Sequence, residues 1–195
     1  MTTPEPADAL LNHIRKFIAL SDDEATFLLD HVQFKTLRNK DFLLKAGDVC
    51  HENFFIVQGC VRMYMHIDNG TEQIIQFAID NWWMTDYMSF DHQKPAQFNI
   101  QAVEPTQVVV FSRSAQDVVF EKIPRLERYF RIILQRAYSA SLMRIHFIYN
   151  QTGEARYQQF TRLFPDFVQR VPQYMLASYL GFTPEFLSKI RAKKG

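Results

Sequence analysis

The spacing of apolar residues changes twice along the chain and divides it into three stretches. From Asp8 to His31, Leu10, Leu11, Ile14, Phe17 and Ile18 recur at helical spacing, interrupted at Leu20-Ser21-Asp22. Ser21 followed three residues later by Glu24 is a capping box that opens a second short helix. From Phe34 the period falls to two. FKTL, DFLL, NFFIVQG, CVRMYMHI, EQIIQFAI and QVVVFS read as short strands between turn formers at Asn39, Gly47-Asp48, Gly59, Asp68-Asn69-Gly70 and Pro105. Asn69-Gly70 is the sharpest hairpin signal, because both residues accept positive φ. Many short, closely spaced strands predict a sandwich or barrel rather than a parallel sheet.

After Ser112 the pattern is helical to the end. Pro124 to Asn150 is 27 residues without glycine or an internal proline, with Pro124 at a first-turn position. Leu126, Phe130, Ile133, Leu134, Ala137, Leu142, Ile145 and Ile148 form its apolar stripe. At roughly 40 Å such a helix is longer than a small domain needs internally. It either joins domains and pairs with a copy of itself, or lies across the sheet as a core helix. Thr152-Gly153-Glu154 restarts a helix through Phe164, and Pro165-Asp166 ends it.

The last stretch carries the most specific pattern. A helix-turn-helix needs a small residue where two helices cross and, four positions on, a glycine whose backbone conformation a side chain would hinder. Ala177 and Gly181 meet that spacing, and Leu176, Leu180, Phe182, Leu187 and Ile190 supply the inner face. Thr183 caps the second helix and Pro184 opens it. The expected helices run from about Val171 to Tyr179 and from Thr183 to Arg191. The outer face of the second then presents Thr183, Glu185, Ser188, Lys189 and Ala192, which suits a DNA major groove. Lysine donates to guanine O6 and N7 there, and glutamate accepts from a cytosine amino group. Arg191, Lys193 and Lys194 follow as phosphate contacts. The competing reading is an ordinary helical hairpin with a solvated basic tail.

Charge favours the first of these. The whole chain has a net charge of only +1, but from Gln151 onward seven cations face three acids. The C-terminal part thus carries +4 and the first 150 residues −3. A basic end on a mildly acidic body is the asymmetry of a protein that meets a polyanion at one end. With 195 residues, 47% apolar and 14% aromatic, there is material for one large domain or two modest ones. No window approaches the roughly 18 apolar residues of a membrane span, and MTTPEPADALLNHIRKF lacks a signal peptide's apolar stretch. The expectation is a cytoplasmic protein with no membrane partner. Cys50 and Cys60 read as buried thiols. His51, His66 and His92 offer no H-x-H pair with a following acid, so no metal is expected. Neither a Gly-rich phosphate loop nor a serine elbow is present; no enzyme activity and no cofactor are expected.

LLKAGDVCHENFFIVQGCVRMY, followed by Asn69-Gly70-Thr71-Glu72, resembles the β-roll of the Crp/Fnr family of bacterial transcription regulators, and the C-terminal pattern resembles that family's DNA motif. The resemblance covers nearly the whole chain. It implies an α+β fold: an N-terminal double-stranded β-helix (a jelly-roll-like β-roll), a long dimerisation helix and a C-terminal all-α helix-turn-helix domain. The corresponding boundaries are 1–120 for the cyclic-nucleotide-binding-like sensor with its N-terminal helices, 121–150 for the dimerisation helix and 151–195 for the DNA-binding domain. The implied partners are double-stranded DNA at a near-palindromic site and a second copy of the chain, paired through Leu126, Phe130, Ile133, Leu134, Ala137 and Ile145. The resemblance also allows a contact with RNA polymerase.

Family members that bind cyclic AMP use a Gly-Glu pair for the ribose and an Arg-Ser or Arg-Thr pair for the phosphate. Here Thr85-Asp86 and Ala96-Gln97 stand at those places, and no arginine lies between Arg62 and Arg113. A buried phosphate without a matched charge costs several kcal/mol in principle, so cyclic AMP is not an expected ligand. Trp82, Trp83, Tyr87, Phe90 and Phe98 bracket the same run. They either line a pocket for an apolar or aromatic effector, together with Thr85, Asp86, Ala96 and Gln97, or fill a roll that takes no ligand. The remaining alternative for the chain is a ligand-binding or protein-interaction roll that does not read DNA, or a small cupin-like metalloenzyme.

Overall fold

The computed structural model describes residues 5–67 and 70–192. Two helices open the chain, α1 (Pro6–Arg15) and α2 (Asp22–Asp30). The expected capping box forms: Ser21 Oγ accepts from the Glu24 amide and the Glu24 carboxylate accepts from the Ser21 amide. The strands follow: β1 (Gln33–Leu37), β2 (Phe42–Leu44), β3 (Glu52–Gln58), β4 (Cys60–His66), β5 (Glu72–Ile79), β6 (Trp83–Met84), β7 (Asn99–Ala102) and β8 (Thr106–Ser112). A short helix, α3 (Tyr87–His92), separates β6 from β7. The strands form two four-stranded sheets, ordered β1-β8-β3-β6 and β2-β7-β4-β5, with antiparallel pairing. This is the expected β-roll. Asn69, the expected hairpin residue, lies outside the described residues, while the flanking Ile67 and Thr71 are joined by a backbone hydrogen bond of 3.0 Å.

The helical part comprises α4 (Arg113–Lys122), α5 (Arg125–Asn150), α6 (Gly153–Leu163), α7 (Pro165–Arg170), α8 (Gln173–Leu180) and α9 (Pro184–Ala192). Proline at 165, expected to end the preceding helix, also starts a six-residue one, because a missing N–H is harmless at a first-turn position. The chain divides into two compact units: residues 1–65 with 77–134, and residues 66–76 with 135–195. The long helix passes from the first to the second between Leu134 and Gln135.

In the first unit, Phe55 and Val57 of β3 and Val109 and Phe111 of β8 pack against α1, α2, α4 and the start of α5. Alternation along a strand turns Phe54, Ile56, Val108 and Val110 to the inside of the roll, where all four are buried. This sheet is therefore apolar on both faces. In the second unit the inner faces of α8 and α9 meet through Leu176, Ala177, Leu180, Leu187 and Ile190, each buried.

Candidate nucleic-acid interface and effector site

The turn between α8 and α9 follows from one residue. Gly181 has φ +77°, a region that a side chain disfavours, and ends α8 in the left-handed conformation. The Phe182 amide then reaches back to the Ala177 carbonyl at 2.9 Å, closing the helix end. Arg156 of α6 donates to the Leu180 carbonyl at 2.6 Å and to the Ile148 carbonyl at 3.0 Å, with its guanidinium over the Phe182 ring. Arg156, one of the seven C-terminal cations, caps the carbonyl ends of two helices, and burial pulls its pKa below the ordinary value. Gly153, expected only as part of a helix start, is also a close-contact position. A Cβ there would stand 2.5 Å from the Phe186 ring, so the glycine lets α9 approach the start of α6.

Thr183 Oγ1 accepts from the Phe186 amide at 3.2 Å and so caps α9. Leu187 and Ile190 are buried, while Thr183, Glu185, Ser188, Lys189, Arg191 and Ala192 are exposed on the other side. The carboxylate of Glu185 is held below its usual pKa first by its own amide, then by the Thr183 hydroxyl and by Lys189, so it is an anion and an acceptor at neutral pH. Lys193 and Lys194 lie outside the described residues. Phe182, expected on the inner face, is only half-buried, lying under Arg156.

In the roll, the residues expected at the two halves of a phosphate cassette are engaged by the first unit's own groups. Asp86 is 3% exposed and caps α3, its Oδ1 accepting from the Met88 and Ser89 amides at 3.1 and 3.2 Å. Thr85 Oγ1 donates to the Glu52 carbonyl at 2.8 Å. Ser89 Oγ accepts from the Cys50 amide and donates to the Lys94 carbonyl. Ala96 is buried, its amide and carbonyl bonded to Asp48 and Gly47, and Gln97 is exposed. Arg62 donates twice to Gln101 Oε1, at 2.7 and 3.1 Å.

Two aromatic residues expected at the pocket are placed differently from each other. Trp83 is 8% exposed and belongs to the helix-side core. Its ring packs on Phe55 and Phe130, and its Nε1 donates to the Tyr129 hydroxyl at 2.7 Å, which is also 2.8 Å from His13 Nδ1. The pairing of Phe55 with Trp83 across β3 and β6 puts both on that face. Trp83 is therefore a core residue and not a pocket residue. Trp82 and Tyr87 are exposed, and the Tyr87 hydroxyl accepts from Asn53. A groove of about 370 Å³ in this unit is bordered by Phe42, Leu44, Lys45, Cys50, Glu52 and Phe54 among others, and by none of the expected pocket residues.

The dimerisation stripe also needs correction. Leu126 and Phe130 are buried in the first unit's core and are not available to a partner, while Ile133 packs against that core and is half-buried. The exposed apolar residues of α5 begin later: Leu134, Ala137, Tyr138, Ala140, Leu142, Met143, Ile145 and Tyr149.

Residues 34–122 match the family model described as the cyclic nucleotide-binding domain. The match runs from β1 to the end of α4. Three solved structures place it in a whole-chain architecture. The c-di-GMP responsive global regulator CLP of Xanthomonas campestris is 13% identical over 89% of this chain and 91% of that one, with a TM-score of 0.70. FixK2 from Bradyrhizobium japonicum is 14% identical over 83% of each chain, with a TM-score of 0.68. The Thermus thermophilus catabolite activator protein is 17% identical over 91% and 84%, with a TM-score of 0.57. No curated protein sequence matches. The fold is that of the Crp/Fnr regulators, as the sequence resemblance implied. Among the described residues no helix is long and apolar enough to cross a membrane.

Proposed function

We propose that the chain is a homodimeric, DNA-binding transcription regulator of the Crp/Fnr type, with the roll of residues 1–120 as sensor, residues 121–150 as the pairing helix and residues 151–195 as the reading domain. The observation that carries this reading is the two-sidedness of α9. Leu187 and Ile190 anchor one side, and Thr183, Glu185, Ser188, Lys189 and Arg191 are exposed on the other. A helix held in this way by a tight turn can enter a major groove with a donor and an acceptor one turn apart. Leu134, Tyr138, Leu142, Ile145 and Tyr149 recur at intervals of three and four on an exposed stretch of helix, a pattern that supports pairing with a second copy. Two reading helices then meet half-sites about one DNA turn apart.

The cassette supports no cyclic AMP site, since Thr85 and Asp86 bond to backbone groups of their own unit and Ala96 brings no donor. Titration calorimetry is expected to detect no cyclic AMP binding; micromolar affinity would refute this part. Selection of duplexes from a random pool by the full chain tests the main reading. It is expected to recover a near-palindrome whose binding weakens with salt, as counterion release requires, and to lose it in Glu185→Ala/Lys189→Ala. Binding that is undetectable or indifferent to salt would overturn the assignment.

A further inference from the structure

Strand β5 stands at the end of its sheet, so its outer edge carries backbone groups with no strand beside them. Ser178 of α8 occupies that edge. Its hydroxyl accepts from the Ile74 amide at 2.9 Å and donates to the Glu72 carbonyl at 3.0 Å. These are the two groups, on alternate residues, that a neighbouring strand would engage, so one side chain does the work of a strand residue. Gln73 Nε2 donates to the Ser178 carbonyl at 2.7 Å. From α5, Arg144 donates to the Ile75 carbonyl and, at 2.9 Å, to the Tyr179 carbonyl, with its guanidinium 4.3 Å from the Tyr179 ring centroid. Burial pulls the Arg144 pKa down, as expected for a guanidinium held largely by carbonyls and a ring. All these residues belong to the second unit, which holds residues 66–76 together with α8 and α9.

We propose that this contact is a docking site that presets the reading pair: the segment 72–76 holds α8 through Ser178, Gln73 and Arg144, and so fixes α9 before DNA arrives. The inference rests on the DNA-reading role proposed above. The docked arrangement leaves Thr183, Glu185, Ser188, Lys189 and Arg191 exposed, so it positions the reading face without masking it. Fixing a binding element in advance lowers the ordering cost of association. The site also gives the β4–β5 segment a direct hold on the reading helices, because the same strand continues from Gln76 into the first unit at Phe77.

The test uses the full chain, with Ser178→Ala, Ser178→Thr and Gln73→Ala, and a duplex selected by the wild-type protein. Ser178→Ala is expected to speed hydrogen exchange at the Ile74 amide about tenfold and to weaken DNA binding about three- to tenfold, the range of one or two lost hydrogen bonds. The slope of affinity against salt should stay unchanged, since no phosphate contact is removed. Ser178→Thr keeps the hydroxyl and should restore both readings; Gln73→Ala should give a smaller loss of the same kind. Unchanged exchange at Ile74 would show that the contact does not form in solution. Faster exchange with unchanged or tighter DNA binding would remove its role as a preset. A wild-type chain that selects no duplex would instead bring down the DNA reading itself, and the preset with it.

Discussion

The start of α3 in the roll and the start of α9 in the second unit are built alike and end differently. Each is capped by a side chain just ahead of the helix, Asp86 in one and Thr183 in the other. Around α3 the polar groups turn inward: Thr85, Asp86 and Ser89 are at most 4% exposed and bond to backbone groups of their own unit. Around α9 the cap is made and polar residues remain outside it, with Ser188, Lys189 and Arg191 exposed. A folded protein satisfies its buried polar groups first. What is left over is available to a partner: at α9 it is Ser188, Lys189 and Arg191, and among the four expected cassette residues it is Gln97 alone.

The largest effects should come from the two glycine turns, which test whether the regions are independent. Gly59 has φ +120°, and a Cβ there would stand 2.4 Å from Thr106 Oγ1 and 2.7 Å from its Cα. Gly59→Ala combines backbone strain with a collision against main chain and should cost about 3 kcal/mol or more. At Gly181 a Cβ meets only the flexible end of Arg156, at 3.3 Å, so Gly181→Ala should cost about 1 kcal/mol, from φ alone. Both tryptophans, Trp82 and Trp83, lie in the first unit, so fluorescence in urea reports that unit. Gly59→Ala should move the fluorescence transition strongly, and Gly181→Ala should move the far-ultraviolet circular dichroism with little change in fluorescence. Equal shifts by both probes in both variants would show that the units unfold as one.

A smaller contrast separates the two halves of α5. Leu126→Ala opens a cavity in a packed core and should cost about 2–5 kcal/mol. Ile145→Glu changes an exposed position and should alter protomer stability by about 0.5 kcal/mol or less. It should nevertheless abolish the proposed pairing and leave a monomer in light scattering, by placing a charge in the exposed stripe. A wild-type monomer at the same concentration would break the pairing scheme.

These contrasts also mark what the sequence could and could not reveal. Alternation made β1 to β5 and β8 legible, and the Ala177–Gly181 spacing made the α8–α9 turn legible, because those signals are local. β6, of two residues, and β7, of four with two polar side chains, are too short to carry a period. The placement of Trp83 depends on its cross-strand partner Phe55, 28 residues away, and nothing near Trp83 reveals it. A helical stripe gives a face but not its partner: Leu126 and Ile145 share one pattern, yet the roll covers only the first. The capping role of Arg156 has no local signal, because its acceptors, Ile148 and Leu180, come from two other helices.

The smallest expected effect decides whether Asp86 is a cap or the remnant of a ligand site. A carboxylate retained for a ribose would depend on its charge, whereas a cap depends only on an oxygen in the right place. Asparagine caps helices about as well as aspartate, and alanine loses about 1 kcal/mol. Asp86→Ala should therefore lower the urea midpoint of the first unit modestly, as read by the fluorescence of Trp83 three residues away. Asp86→Asn should leave that midpoint nearly where it was, because its side-chain oxygen can accept from the Met88 and Ser89 amides as Oδ1 does now. If Asp86→Asn were instead as destabilised as Asp86→Ala, the negative charge would be what the site requires, and the inward-turned cassette would have to be reconsidered as a place that holds a cation or a ligand donor.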